Sequence, residues 1–108
     1  MTSTRWEDGE KERLIRLEGE LDHDGCEEVG AAFGEAIADV ARDRVVVDMS
    51  EVTFVSSQGI WMMLQAHAQL KGEGRVLHVR GMRPYISKVF ETVGVFRAVP
   101  EWKSQPGP

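Results

Sequence analysis

The chain has 108 residues, 42% hydrophobic and 29% charged, with a formal net charge of -5 and one cysteine. That is the size and balance of a single globular domain whose core needs no staple, and the lone Cys26 excludes an intrachain disulfide, as suits a reducing compartment. Residues 1–50 hold 14 acidic and 6 basic side chains (-8), and residues 51–108 hold 4 and 7 (+3). The acidic first half argues against nucleic-acid binding, which needs a basic footprint, and suits a basic protein partner. No apolar run approaches the ~20 residues of a membrane span. The first residues, Met-Thr-Ser-Thr-Arg-Trp-Glu-Asp, contain no apolar signal region. The expected location is therefore the cytoplasm, with no membrane partner.

In chain order, residues 2–6 read as a short first strand. Glu7-Asp8-Gly9-Glu10 reads as a turn, and Arg13 to Leu17 as a second strand that Glu18 to Asp22 leads out of. Asp22 or Asp24 can then cap a helix. Val29, Ala32, Phe33, Ala36, Ile37 and Val40 recur at helical spacing over about five turns, with Glu27, Glu28, Glu35 and Asp39 on the outer side and Cys26 on the packing face. Val45 to Met49 is short and β-branched, interrupted only by Asp48, and predicts a buried strand. A tight connection follows and ends in Ser56-Ser57, two good N-cap residues. From there Ile60, Met63, Leu64, His67 and Leu70 form one helical face, closed by Gly72 and Gly74.

Arg75 to Val79 predicts another strand. Pro84 fits the first position of a helix carrying Ile86, Val89, Phe90 and Val93, which Gly94 stops. Val95 to Val99 predicts a last strand ended by Pro100, with residues 101–108 as a flexible tail after a domain over 1–100. The order β(β)αβαβαβ implies an α/β fold, a mainly parallel sheet of four to five strands with right-handed crossovers.

The glycines are scattered, so neither Gly-x-x-x-x-Gly-Lys-Ser nor Gly-x-Gly-x-x-Gly occurs, and no nucleotide cofactor is expected. His23, His67 and His78 do not pair at metal-ligand spacing, and Cys26 has no second cluster to complete a zinc site. A serine hydrolase would need a base near Ser57. His67, ten residues further along the same helix, would be about 15 Å away. Asp22 and His23 could approach Ser57 if the loops after parallel strands share one sheet edge. No Gly-x-Ser-x-Gly elbow is present, and little chain remains to wall a substrate pocket. The expectation is a protein that binds rather than catalyses.

Three segments carry a resemblance. Leu17-Glu-Gly-Glu-Leu-Asp22, Val45 to Gly59 and Val89 to Val99, in that order, resemble the STAS domain, specifically the bacterial anti-sigma factor antagonists. The resemblance runs from about Leu14 to Pro100. It implies a partner switch: a serine kinase that is also the anti-sigma factor phosphorylates a serine in the pattern Asp-Ser-Ser/Thr-Gly-Leu-Gly, and a phosphatase resets it. By register against Gly59 the phosphorylated serine falls on Ser57, with Ser56 as the alternative. Asp22 falls on the partner-contacting aspartate, and Asp22, Ser56, Ser57, Gln58, Gly59 and Trp61 make up the implied partner surface. The sequence departs from the pattern in three places: Ser56 stands for the loop aspartate, Gln58 for the second hydroxyl residue and Trp61 for a glycine. These departures support an alternative expectation, a STAS module that docks without phosphorylation in a signalling or transport complex.

Overall fold

Gly9 closes the first hairpin by donating its N–H to the Glu12 carbonyl at 2.8 Å. The strands it joins, β1 (Ser3–Asp8) and β2 (Glu12–Leu21), pair antiparallel. After β2 come α1 (His23–Ala38), β3 (Arg44–Val55), α2 (Ser57–Gly72) and β4 (Val76–Arg80). Two further helices, α3 (Pro84–Thr92) and α4 (Val95–Ala98), and a 3-10 turn at Pro100–Trp102 follow among the described residues. The computed structural model describes residues 1–39 and 41–103. Val40, expected on the packing face of the first helix, and residues 104–108 of the expected tail lie outside the described residues. No helix among the described residues is long and apolar enough to cross a membrane.

The sheet has the order β1-β2-β3-β4, with β2, β3 and β4 parallel. The mainly parallel α/β architecture expected from the pattern is the one observed. Alternation along the strands sends Ile15, Leu17, Val45, Val47, Met49, Leu77 and Val79 into one core with the helices. The other face carries charge. There Asp48, nearly fully buried, lies beside Arg16 (3.8 Å) and Arg80 (3.6 Å) and accepts the Ser50 N–H at 2.9 Å. These contacts account for a carboxylate within a β-branched strand.

Two predicted strands are longer than expected. β2 continues through Glu18 to Leu21, and β3 runs through the expected tight connection to Val55, keeping Val52 and Val55 buried while Glu51, Thr53 and Phe54 are exposed. The predicted last strand is not a strand. Val95–Ala98 is a short helix, so among the described residues the order is ββαβαβαα and the sheet has four strands. The reason is local. Gly94 takes a left-handed conformation (φ 84°) that turns the chain after α3. Val95 and Val99 then enter the core together at a spacing of four, a spacing that suits a helix as well as a strand. Phe96 stacks against Phe90 at 6.3 Å. The expected boundary at Pro100 runs into Trp102, which is buried and donates its indole N–H to the Leu77 carbonyl at 3.2 Å.

No basic residue occupies the last turn of α1, although its terminal carbonyls need donors. Two buried arginines from distant strand ends supply them. Arg13 donates to the Ala36 carbonyl at 2.9 Å, and Arg75 to the carbonyls of Ile37 and Asp39 at 2.8 Å each. Asp8 binds Arg13 through both carboxylate oxygens (2.6 and 3.0 Å), and the Arg13 guanidinium holds the Asp8 carboxyl below its usual range.

Candidate functional site

Because β2 and β3 are parallel and Leu21 pairs with Val55, the residues that follow them emerge side by side. Asp22 and Ser56 are those residues, and each caps a helix. The Asp22 carboxylate accepts the Gly25 N–H at 2.7 Å, starting α1. The Ser56 Oγ accepts the Gly59 N–H at 3.5 Å, starting α2. Ser56 also donates both its N–H (3.0 Å) and its hydroxyl (2.9 Å) to the Leu21 carbonyl, so its side chain is committed to holding the two strand ends together.

Gly59 makes this approach possible. A Cβ there would sit 2.8 Å from the Leu21 carbonyl oxygen and 2.7 Å from Val55 Cγ2, closer than real contacts allow. The implied surface residues therefore divide into two groups. Asp22, Ser56 and Gly59 are structural in this geometry: half-buried or buried, bonded, and setting where α1 and α2 begin. Ser57, Gln58 and Trp61 are exposed on the first turns of α2. The Ser57 side chain forms no hydrogen bond with the described residues, and Trp61, one turn further on the same helical stripe, is 61% exposed. Whether Trp61 packs in the core or faces outward could not be read from spacing; it faces outward.

A link that spacing did not reveal spans the two helix starts. Gln58 Nε2 lies 2.8 Å from His23 Nδ1, and His23 Nε2 lies 3.3 Å from Glu27. Both ring nitrogens of His23 are thus engaged, the Asp22 carboxylate accepts at the α1 cap, and neither side chain is hydrogen-bonded to Ser57. The Cys26 thiol is pushed up by burial and then by the Asp22 charge, which disfavours the reactive thiolate. No group of three His, Cys, Asp or Glu side chains among the described residues is placed to hold a metal ion.

Beside this edge, Phe54 and Tyr85 are also exposed. The Tyr85 hydroxyl donates to the Thr53 carbonyl at 3.0 Å, and Arg83 Nε donates to the Ser50 carbonyl at 3.1 Å. α3 thereby covers the part of β3 that extends past β4, and it brings one aromatic ring and one cation toward the end of β3. Neither residue belonged to the implied partner surface, because the order of elements does not show that β3 outruns β4. A depression of about 180 Å³ lined by Arg5, Trp6, Glu7, Leu14 and Arg16 lies instead over β1 and β2. It is below the ~300 Å³ at which small-molecule pockets begin. The loop edge exposes polar and aromatic groups, Ser57, Gln58, Trp61, Phe54 and Tyr85 among them, which suits protein docking.

Comparison with known proteins agrees with this picture. A family model described as Mlab, STAS domain, matches residues 6–100. A curated relative, the anti-sigma F factor antagonist of Paenibacillus polymyxa, is 24% identical over 92 residues, 85% of this chain and 79% of that protein. A crystal structure of an anti-sigma factor antagonist from Mycobacterium paratuberculosis has the same fold, with a TM-score of 0.83 at 22% identity, covering 100% of this chain and 86% of that one. The Bacillus cell fate determinant SpoIIAA in its phosphorylated form is similar at a TM-score of 0.67 and 25% identity, covering 88% of this chain and 86% of that one. The segments that resembled a STAS domain are thus parts of one continuous match, and the chain belongs to the STAS domain family.

Proposed function

We propose that this protein is an anti-sigma factor antagonist, a cytoplasmic binding module and not an enzyme. It docks on an anti-sigma factor through the edge where α1 and α2 begin, and phosphorylation of Ser57 by that partner, acting as a serine kinase, ends the docking. A phosphatase acting on the phosphoserine restores it. The observation that carries the reading is the contrast between the two serines. Ser56 spends its hydroxyl on Leu21, whereas the Ser57 hydroxyl is exposed at the first residue of α2. The relatives support the same reading, since two are antagonists by name and SpoIIAA has been solved phosphorylated.

The physical chemistry is favourable for a switch of this kind. Phosphate adds about -1.5 to -2 charge. No acidic residue occupies the first turn of α2, and a helix start stabilises a negative group by about 0.3–1 kcal/mol. The fold therefore tolerates the modification, while a partner that had packed on a neutral serine and Trp61 meets a dianion. To test the reading, the protein is added to the anti-sigma factor in complex with its sigma factor. The wild-type chain should release the sigma factor, and Ser57→Asp should not. Failure of the wild-type chain to release it sinks the proposal.

A second reading is a STAS module that docks constitutively in a signalling or transport complex. It is favoured by the exposure of Trp61 and by the uncharged serine at position 56. A Ser57→Asp variant that keeps wild-type affinity for its partner selects this reading over the first.

A further inference from the structure

β1 is an edge strand. Among the described residues it pairs only with β2, and every residue in it except Thr4 is exposed. An open edge of six residues is a template for another strand. Its sequence, Ser-Thr-Arg-Trp-Glu-Asp, carries charges of opposite sign on either side of Trp6. We infer that β1 pairs antiparallel with β1 of a second copy of this chain, in the register that sets Trp6 opposite Trp6.

Geometry limits the choice of register. Two copies related by a twofold axis and joined edge to edge keep their helix layers on the same side of the joint sheet. One residue must then lie opposite itself, and the residues flanking it pair crosswise. Centring the axis on Arg5 sets Arg opposite Arg, and centring it on Glu7 sets Glu opposite Glu; like charges directly opposite are unfavourable. Centring it on Thr4 sets Ser3 opposite Arg5 and leaves Glu7 without a basic residue opposite. Centring it on Trp6 sets Arg5 opposite Glu7 of the second copy, twice by symmetry. It also brings Asp8 opposite the uncharged Thr4, so no like charges face each other in this register.

The side chain on the axis suits its place. Trp6 is 39% exposed, and the Arg13 guanidinium lies over its ring, 5.4 Å from the centroid. The shallow depression lined by Arg5, Trp6, Glu7, Leu14 and Arg16 flanks it and can receive side chains of the second copy. Within one copy Arg5 already meets Glu18 (3.1 Å) and Glu7 meets Arg16 (3.6 Å). Both pairs are exposed and cost little to rearrange. The joint sheet leaves Ser57 free in both copies. The twofold axis sends the two α1–α2 edges to opposite ends, so the dimer presents two docking sites. The inference does not depend on what those sites bind.

Analytical ultracentrifugation over a concentration series tests it. The wild-type chain should show a monomer–dimer equilibrium. Arg5→Glu, which sets Glu opposite Glu7 at both symmetric positions, should weaken it about tenfold or more. The swap of Arg5→Glu with Glu7→Arg should restore it. A second measurement is independent of these charges. In a Cys26→Ser background treated with oxidised glutathione, Trp6→Cys should give a disulfide-linked dimer. Directly opposed residues have Cα atoms roughly 4.5–5.5 Å apart, within disulfide reach. Arg5→Cys, opposite residue 7, should not link. A wild-type chain that stays monomeric, a swap that fails to restore association, or linkage at position 5 rather than 6 overturns the inference.

Discussion

Trp61 offers a test of where the partner sits. The ring is 61% exposed, and it lies one turn beyond Ser57. A tryptophan side chain buries about 150–250 Å² when fully covered, so about 90–150 Å² of this one is available to a partner. At about 25 cal/mol per Å² this is about 2–4 kcal/mol, the range of an interface hot spot. Trp61→Ala should therefore weaken binding to the anti-sigma factor by roughly 30-fold to several hundred-fold. Because the ring faces solvent in the free protein, folding stability should stay within about 0.5 kcal/mol. Titration calorimetry against the partner, with thermal denaturation of the free variant as the control, reads both quantities. A variant that melts like the wild type and binds within about twofold of it would refute the assignment of this turn of α2 to the docking surface.

Other perturbations test the frame behind the site. Arg75→Met removes donors from the carbonyls of Ile37, Asp39 and Arg42. One of those bonds is fully buried, so a loss of about 2–4 kcal/mol in urea denaturation is expected, and Arg75→Lys should not recover it, since one ammonium cannot reach all three acceptors. Gly59→Ala should cost about 1–3 kcal/mol by pressing α2 against Leu21. Gly34→Ala, on an open helix face with nothing near its Cβ, should stabilise by about 0.5–1 kcal/mol; a Gly59→Ala chain as stable as Gly34→Ala would contradict the packing described. His78 also links stability to pH. Burial, and secondarily the Arg44 charge, hold its imidazole below the ordinary range, so the unfolded chain takes up the proton first. Stability should fall as pH drops below about 6.5, and His78→Gln should flatten that slope. Denaturation midpoints at about pH 7.5 and 5.5 measure it.

What could be read from residue patterns was what depends on near neighbours. Asp22 or Asp24 announced α1 and the pair Ser56-Ser57 announced α2, because a capping side chain acts three residues away; the caps are Asp22 and Ser56, and Pro84 announced α3 for the same kind of reason. The α/β class followed from alternation. Where long-range contacts decided the outcome, the patterns were silent or misleading. Val95–Ala98 carries strand-like residues, yet two valines four apart serve a short helix once Gly94 has turned the chain. Trp102 looked like the start of a tail because its partner, the Leu77 carbonyl, is 25 residues back. The donors for the end of α1 come from Arg13 and Arg75, and the Gln58–His23 contact joins residues 35 apart. At the site, the family register singled out Ser57, and spacing could not separate it from Ser56. The hydrogen bond from Ser56 to Leu21 distinguishes the two hydroxyls.

The most direct measurement is the mass of the protein after incubation with its cognate anti-sigma kinase and ATP, followed by peptide mapping and a test for the surviving complex. The account predicts the addition of one phosphoryl group, located on Ser57, absent in Ser57→Ala and unaffected by Cys26→Ser, with loss of the complex as it accumulates. An unchanged mass, phosphate on Ser56 or elsewhere, or a phosphorylated chain that remains bound would contradict it.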